Sequence, residues 1–286
     1  MTVWLNGEFI DAGARIDVSD RGFLLGDGVF ETIYVEDSTP AFIDAHLTRL
    51  NRGLEALGIG LSLEARVVAA IVAELAGRND LAKGRAAARL TVSRGPGARG
   101  LATPPADALR PTRLLSLAAY EPPAAPLRLA ISTARRYSRS VSARFKTLSY
   151  LDSVLARNEA ARAGADEAVM LNEHGRVACT SAANIFLIRA DGAVAVPPVE
   201  EGALPGVVRG TLIAAASRQG LAVEERPIAV EEVKNSGLVL TNSLMGVADA
   251  TLVDGGPPIP TPMLERLQSW YARALKDDLA AIRSAL

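Results

Sequence analysis

The residue type best able to do chemistry alone in this chain is a lysine amine, and Lys146 has the most suggestive setting for one. It stands in the run "FKTLSYLDSVLARNEA", one residue after Phe145 and just ahead of an apolar stretch. Most lysines are solvated surface charges. Downstream of this one, Leu148, Leu151 and Leu155, with Val154 beside them, recur at helical spacing and predict a helix that buries one face. A lysine at the mouth of such an element is partly desolvated, which favours the neutral amine and equips it as a nucleophile or base.

Composition narrows what that amine could serve. The formal net charge is −1 across 286 residues, which disfavours polyanion binding and a charged membrane surface. Cys179 is the only cysteine, so no intramolecular disulfide forms and a zinc cluster of thiolates is excluded. A reducing, cytoplasmic setting is the expectation. The opening "MTVWLNGEFIDAG" has no basic segment followed by an apolar core and does not read as a signal peptide. The most apolar helix candidate, "VVAAIVAELAG", carries Glu74 and is too short to cross a bilayer.

Strands and helices must hold these residues in place. "VWLNGEFI" reads as strand, turn and strand, and "HLTRLNRGLEALG" and "LEARVVAAIVAELAGR" read as helices. In the strand "AARLTVSRG", Leu90 and Val92 face one way and Arg89, Thr91 and Ser93 the other. Three prolines within "AAYEPPAAP" forbid regular structure, which places a linker at 118–126 between a domain at 1–117 and one at 127–286. Beyond it come a strand "LRLAIST", the helix after Lys146, and short strands parted by "NEHG" and "ADG" that read as an antiparallel meander. A helix from Gly206 to Gly220, a strand "GLVLTNS" and a C-terminal helix follow, so the fold class is α+β.

Seven segments stand in order: "DRGFLLGDGVFET", "HLTRL", "LTVSRGPGARG", "FKTLSYLDSVLARNEA", "GADEAVMLNEHGRVACTSAANIF", "LPGVVRG" and "LTNSLMGV". Together they resemble the fold-type IV, or class IV, pyridoxal-phosphate enzymes, which include branched-chain aminotransferases, D-amino-acid aminotransferases and aminodeoxychorismate lyases. The resemblance implies a two-domain homodimer, with a small N-terminal α/β sandwich domain and a larger C-terminal domain with a barrel-like sheet. It also implies pyridoxal 5′-phosphate in the cleft between the domains, and a small-molecule substrate.

On this resemblance Lys146 is the lysine that forms the covalent link to the cofactor and then shuttles a proton beside the reacting carbon. Arg49 in "HLTRL" matches the phosphate-contacting arginine. Gly206 precedes a helix, so the N–H groups of Val207 and Val208 can hold an anion with the helix dipole behind them. Ser243 falls where relatives place a hydroxyl on the phosphate, and Arg99 matches the arginine that binds a substrate carboxylate in D-amino-acid aminotransferases. Tyr150 and Phe30 line the cavity, and Arg94 supports the arginine loop. Each role has a plain alternative: an exposed helical cation for Arg49, a solvated loop arginine for Arg99, surface packing for Tyr150, a strand-end serine for Ser243. His46 and His174 have no partner identifiable in the sequence and read as structural or surface residues.

One position departs from the resemblance. Relatives carry a glutamate five residues before the asparagine of "NIF", where its carboxylate keeps the pyridine nitrogen of the cofactor protonated; here that position is Cys179. A thiol of pKa about 8.5 is a weak donor and does not hold a pyridinium. Glu173 and Asp166 are the nearest carboxylates outside the motif. The departure favours an elimination that ends in an aromatic product over transamination, although it also suits a specialised transaminase or a cysteine that packs as a small hydrophobe. The expectation is an aminodeoxychorismate lyase, with a D-amino-acid or branched-chain aminotransferase, or a cofactor-binding paralogue with lost catalysis, as alternatives.

Overall fold

The computed structural model describes residues 1–255 and 261–285. The chain forms two compact units: Met1–Glu121 with Phe145–Ser149 and Asp277–Leu286 in the first, and Pro122–Arg144 with Tyr150–Lys276 in the second.

The first unit is built on an antiparallel sheet. Its strands are β1 (Val3–Leu5), β2 (Glu8–Ile10), β3 (Gly28–Glu36), β4 (Thr39–Pro40), β5 (Arg85–Ser93) and β6 (Thr112–Ala119), in the order β2-β1-β6-β5-β3-β4. Helices α1 (Arg21–Leu25), α2 (Ile43–Ala56) and α3 (Ala65–Arg78) accompany it. Alternation along β3 and β5 sends Val29, Ile33, Val35, Ala88, Leu90 and Val92 into a core shared with Leu47, Leu50 and Leu54 of α2 and Val68, Val72 and Leu75 of α3. Phe30 stands opposite Thr91, and Thr32 opposite Arg89, so these four share the other face, as the alternation in "AARLTVSRG" predicts.

The second unit holds β7 (Leu127–Arg135), β8 (Glu167–Leu171), β9 (Val177–Thr180), β10 (Asn184–Ile188), β11 (Val194–Val196), β12 (Val223–Glu225), β13 (Gly237–Asn242) and β14 (Gly246–Leu252). They run in the order β12-β11-β10-β13-β14-β7-β8-β9. Its helices are α4 (Val141–Arg144), α5 (Leu151–Arg162), α6 (Val207–Arg218), α7 (Val230–Lys234) and most of α8 (Thr261–Ala285). The result is the mixed helix-and-sheet architecture expected of fold-type IV enzymes.

Three readings need correction. A contiguous domain at 127–286 does not match the compact units. Phe145–Ser149 runs along β3, with Phe30 N–H donating to the Lys146 carbonyl (2.9 Å) and Leu148 N–H to that of Gly28 (2.9 Å). From α8, Ile282 packs on the first core and Asp278 accepts from Phe42 N–H at 2.6 Å. The meander is also broken: β8 pairs with β9 and β10 with β11, but β10 pairs on its other side with β13, a partner too distant in sequence for local turn signals to show.

The third correction concerns α5. Its leucines face outward, with Leu151 67%, Val154 50% and Leu155 53% exposed, while Ala156 and Ala160 pack on Ala168, Met170, Ala130 and Ala134. The close β7–α5–β8 layer is built from small side chains and has no room for leucine.

Candidate active site

The strip that carries Lys146 is effectively an extra strand. Thr147 bridges Val29, and Lys146 lies opposite Phe30, so both side chains fall on the same face and Lys146 Nζ sits 4.3 Å from the Phe30 ring centroid. Gly28 allows this approach: a Cβ there would collide with the Val92 carbonyl and lie 2.8 Å from Leu148 Cδ1. Lys146 is half-buried, in a segment that ends before α5 begins. The backbone of β3 therefore fixes its position.

On the opposite face of β3, Glu31 is fully buried among α2 side chains. Arg49 forks onto it, Nε to Oε1 at 2.7 Å and Nη2 to Oε2 at 2.6 Å, and His46 Nδ1 lies 2.7 Å from Oε2. Burial opposes the Glu31 charge, yet the Arg49 guanidinium and the His46 hydrogen bond hold its pKa down at about 2. Burial in turn lowers the His46 pKa against the pull of Glu31, and Arg49 and Lys146 lower it further. His46 is thus a neutral ring donating Nδ1–H to a carboxylate. Arg49 is a pinned side chain and not an exposed helical cation. Glu31 and His46 escaped the sequence reading; the visible signal was a carboxylate at a core-facing position of "GVFETIYV".

Arg99 is exposed on the loop after β5, and among the described residues its guanidinium meets no carboxylate. The loop is held from beneath by Arg21, also unnoticed in the sequence. Arg21 donates to the carbonyls of Gly100 (3.0 Å), Leu101 (3.2 Å) and Ala102 (3.3 Å), and its Nε to Asp27 at 2.9 Å. Arg94 shares Asp27 but its other hydrogen bonds go to the carbonyls of Leu57 and Gly58 after α2, so the side chain that holds the loop is Arg21 and not, as expected, Arg94. Burial works against the Asp27 charge, but the two arginines hold its carboxyl below the ordinary range.

In the second unit, α6 opens at Gly206 with no side chain capping it, so the buried Val207 and Val208 begin the helix with N–H groups that need an acceptor. A Cβ at position 206 would collide with Asn184 Oδ1, while Asn184 Nδ2 donates to the Leu204 carbonyl at 2.9 Å. Asn184 is the register partner of Thr241, so both side chains rise on one face. Thr241 is 1% exposed and its Oγ1 has no hydrogen-bond partner among the described residues. Ser243 lies two residues on, in the β13–β14 turn, where Asn242 Oδ1 accepts from the N–H groups of Leu244 and Met245. Tyr150 is half-buried at the N-cap of α5.

Cys179 faces Met170 across the β8–β9 ladder and is 5% exposed. Burial raises its pKa, Arg136 counters weakly and Glu167 adds to the rise, so it is a thiol at neutral pH. The carboxylates outside the motif are occupied: Glu173 accepts from Ser138 N–H and Oγ, and Asp166 pairs with Arg128. Glu167 is buried and accepts from Ser181, from Ala168 N–H and from Arg157 at 2.7 Å.

The profile of the amino-transferase class IV family matches residues 28–253. The chain belongs to that family. A protein of Methanocaldococcus jannaschii named "Putative branched-chain-amino-acid aminotransferase" is 33% identical over 89% of this chain and 88% of its own length. The aminodeoxychorismate lyase of Bacillus subtilis is 28% identical over 88% of this chain and 86% of its own. Among solved structures, the 4-amino-4-deoxychorismate lyase of Pseudomonas aeruginosa superposes with a TM-score of 0.78 at 30% identity, covering 93% of this chain and 97% of that one.

Class IV enzymes use pyridoxal 5′-phosphate. The residues of this chain fit the phosphate end of that cofactor: the uncapped start of α6 and the orphaned Thr241 hydroxyl both call for an anionic acceptor. Cys179, for which the resemblance implies a place at the pyridine end, is a buried neutral thiol.

Proposed function

We propose that the protein is a lyase that converts 4-amino-4-deoxychorismate to 4-aminobenzoate and pyruvate. The observation that carries the reading is Cys179, a buried thiol kept protonated where relatives have a carboxylate. Transamination depends on a strongly stabilised carbanion; forming an aromatic ring is a driving force of its own.

The N–H groups of Val207 and Val208, with Ser243, would hold the cofactor phosphate and Tyr150 would help to bind the cofactor; for Arg49, on the first unit, a phosphate contact is proposed from the resemblance alone. When bound, the cofactor supplies the electron sink for charge left at the amine-bearing carbon. Lys146 removes the proton from that ring carbon and delivers a proton to the enolpyruvyl methylene. The ether C–O bond breaks between these transfers, so the ring becomes aromatic as pyruvate leaves. Phe30 keeps the lysine on its face of the sheet, and Arg99 binds a substrate carboxylate.

The proposal includes a cytoplasmic homodimer. Leu151, Val154 and Leu155 on α5, and Phe23, Leu24 and Leu25 on α1, are exposed apolar clusters of the kind that a second copy covers. A single buried thiol suits a reducing compartment.

The test is product formation together with the visible spectrum of the holoenzyme. Release of 4-aminobenzoate and pyruvate, abolished in a Lys146→Ala protein that still takes up cofactor, supports the lyase; turnover in that variant refutes the role of Lys146. The relative at 33% identity favours a second reading, an aminotransferase. Bleaching of the cofactor band by D- or L-amino donors, without 4-aminobenzoate formation, would decide for it.

A further inference from the structure

A groove runs along the exposed side of α3, lined by none of the residues assigned above to cofactor or substrate. Its volume is about 720 Å³, within the range of small-molecule sites, and the residues that line it all belong to the first unit. The floor is apolar. Phe9 of β2 and Ile71 pack on the first core from outside, Ala70 stands beside Ile71 on the helix, and Val67 is 49% exposed. The charges along the groove are unequal. Glu74 is answered by Arg78, whose Nε lies 2.7 Å from its Oε1 and whose guanidinium sits 4.6 Å from the Phe9 ring centroid. Arg66, toward the other end of α3, has no acceptor for its guanidinium among the described residues.

We propose that this groove binds a small monocarboxylic acid with an extended apolar body, its carboxylate on Arg66 and its chain along Phe9, Val67, Ala70 and Ile71. Charge decides the sign of the head group. With Glu74 answered by Arg78, Arg66 is left as the uncompensated charge of the groove, and an anion is its complement. One guanidinium with its fork unoccupied suits one carboxylate. Length decides the body. Arg66 and Glu74 stand about 12 Å apart along the helix axis, which a medium-length alkyl chain fills and a short acid does not. Such a chain removes Val67 and the exposed edges of Phe9 and Ile71 from water, which a small polar anion cannot do. The described residues lining the groove include no nucleophile and no base other than the paired Glu74, so the site binds its ligand without reacting with it.

The test is calorimetric titration of the purified holoenzyme with octanoate, and with butyrate and octylammonium as counterparts that lack the body or the negative charge. Octanoate should bind with a Kd of about 1 mM or tighter, and each counterpart about tenfold more weakly or worse. Arg66→Gln should weaken octanoate by about tenfold. Ala70→Trp, which fills the groove from an exposed helix position, should abolish binding. If Ala70→Trp loses its melting transition, Val67→Asp, also at an exposed position, carries the same comparison. Absence of saturable octanoate binding up to about 10 mM overturns the proposal. So does an affinity that either variant leaves unchanged, because octanoate then sits elsewhere, and so does octylammonium binding as tightly as octanoate. A wild type that takes up no octanoate and sediments as a larger species than Ala70→Trp would give the groove to a second copy of the chain instead.

Discussion

Glu31 and Cys179 are both buried acids, one in each unit, and they rest on opposite sides of their titrations. Burial opposes the charged form of each. Around Glu31 the Arg49 fork and the His46 hydrogen bond reverse that tendency, and its carboxyl falls to about 2. Around Cys179 only Arg136 works toward ionisation while Glu167 works against it, and the thiol stays protonated. Burial depth is similar, so hydrogen-bonded cations decide the sign. The first unit spends buried polar groups on fixing an arginine; the second leaves a buried neutral thiol with, among the described residues, no hydrogen-bonded cation beside it.

Breaking the charged side of this contrast should have the largest effect. Glu31→Gln leaves Arg49 buried beside a neutral partner and should cost about 3–5 kcal/mol, read as a lower urea midpoint at unchanged slope. An unchanged midpoint would mean that the fork contributes nothing net. The pH dependence comes next. Because the folded pKa of Glu31 is depressed, its contribution is present above the unfolded value of about 4.3 and is lost as pH falls through about 2. Acid unfolding of the wild type should therefore steepen across that window, and Glu31→Gln should flatten it.

Cys179→Glu sharpens the neutral side. A carboxylate introduced there meets burial and Glu167 with only Arg136 in compensation, so its folded pKa should be raised. Its stability penalty should then grow as pH rises from about 4 toward 7, by about 1–3 kcal/mol, visible in melting scans of the apoprotein. A pH-independent melting difference from wild type would show that the site accepts charge. The smallest effect is kinetic: alkylation of native Cys179 by iodoacetamide should be far slower than in urea, since the thiol is both covered and protonated. Equal rates would contradict both conditions.

Local periodicity revealed much of this molecule, but not the parts that depend on distant partners. The alternation in "AARLTVSRG" predicted the two faces of β5, and Gly206 marked the start of α6. Lys146 was found through its neighbours, although its helix buries alanines and not the leucines that drew attention to it. Glu31 meets Arg49 across 18 positions and Arg21 meets its loop across about 80, separations at which spacing carries no information. The β10–β13 pairing was hidden for the same reason.

The interrupted make-up of the first unit has a consequence for synthesis. Its edge beside β3 is filled by residues 145–149, and its core is sealed by Ile282 from the last helix. A chain emerging from the ribosome N-terminus first therefore cannot finish this unit when residue 121 appears, although its sheet is already complete in sequence. The strip at 145–149 can pair with β3 only after that point, and Ile282 can pack on the core only once residue 282 has been made. The first unit is therefore assembled from three stretches of chain made at different times, although its six strands all lie before residue 121.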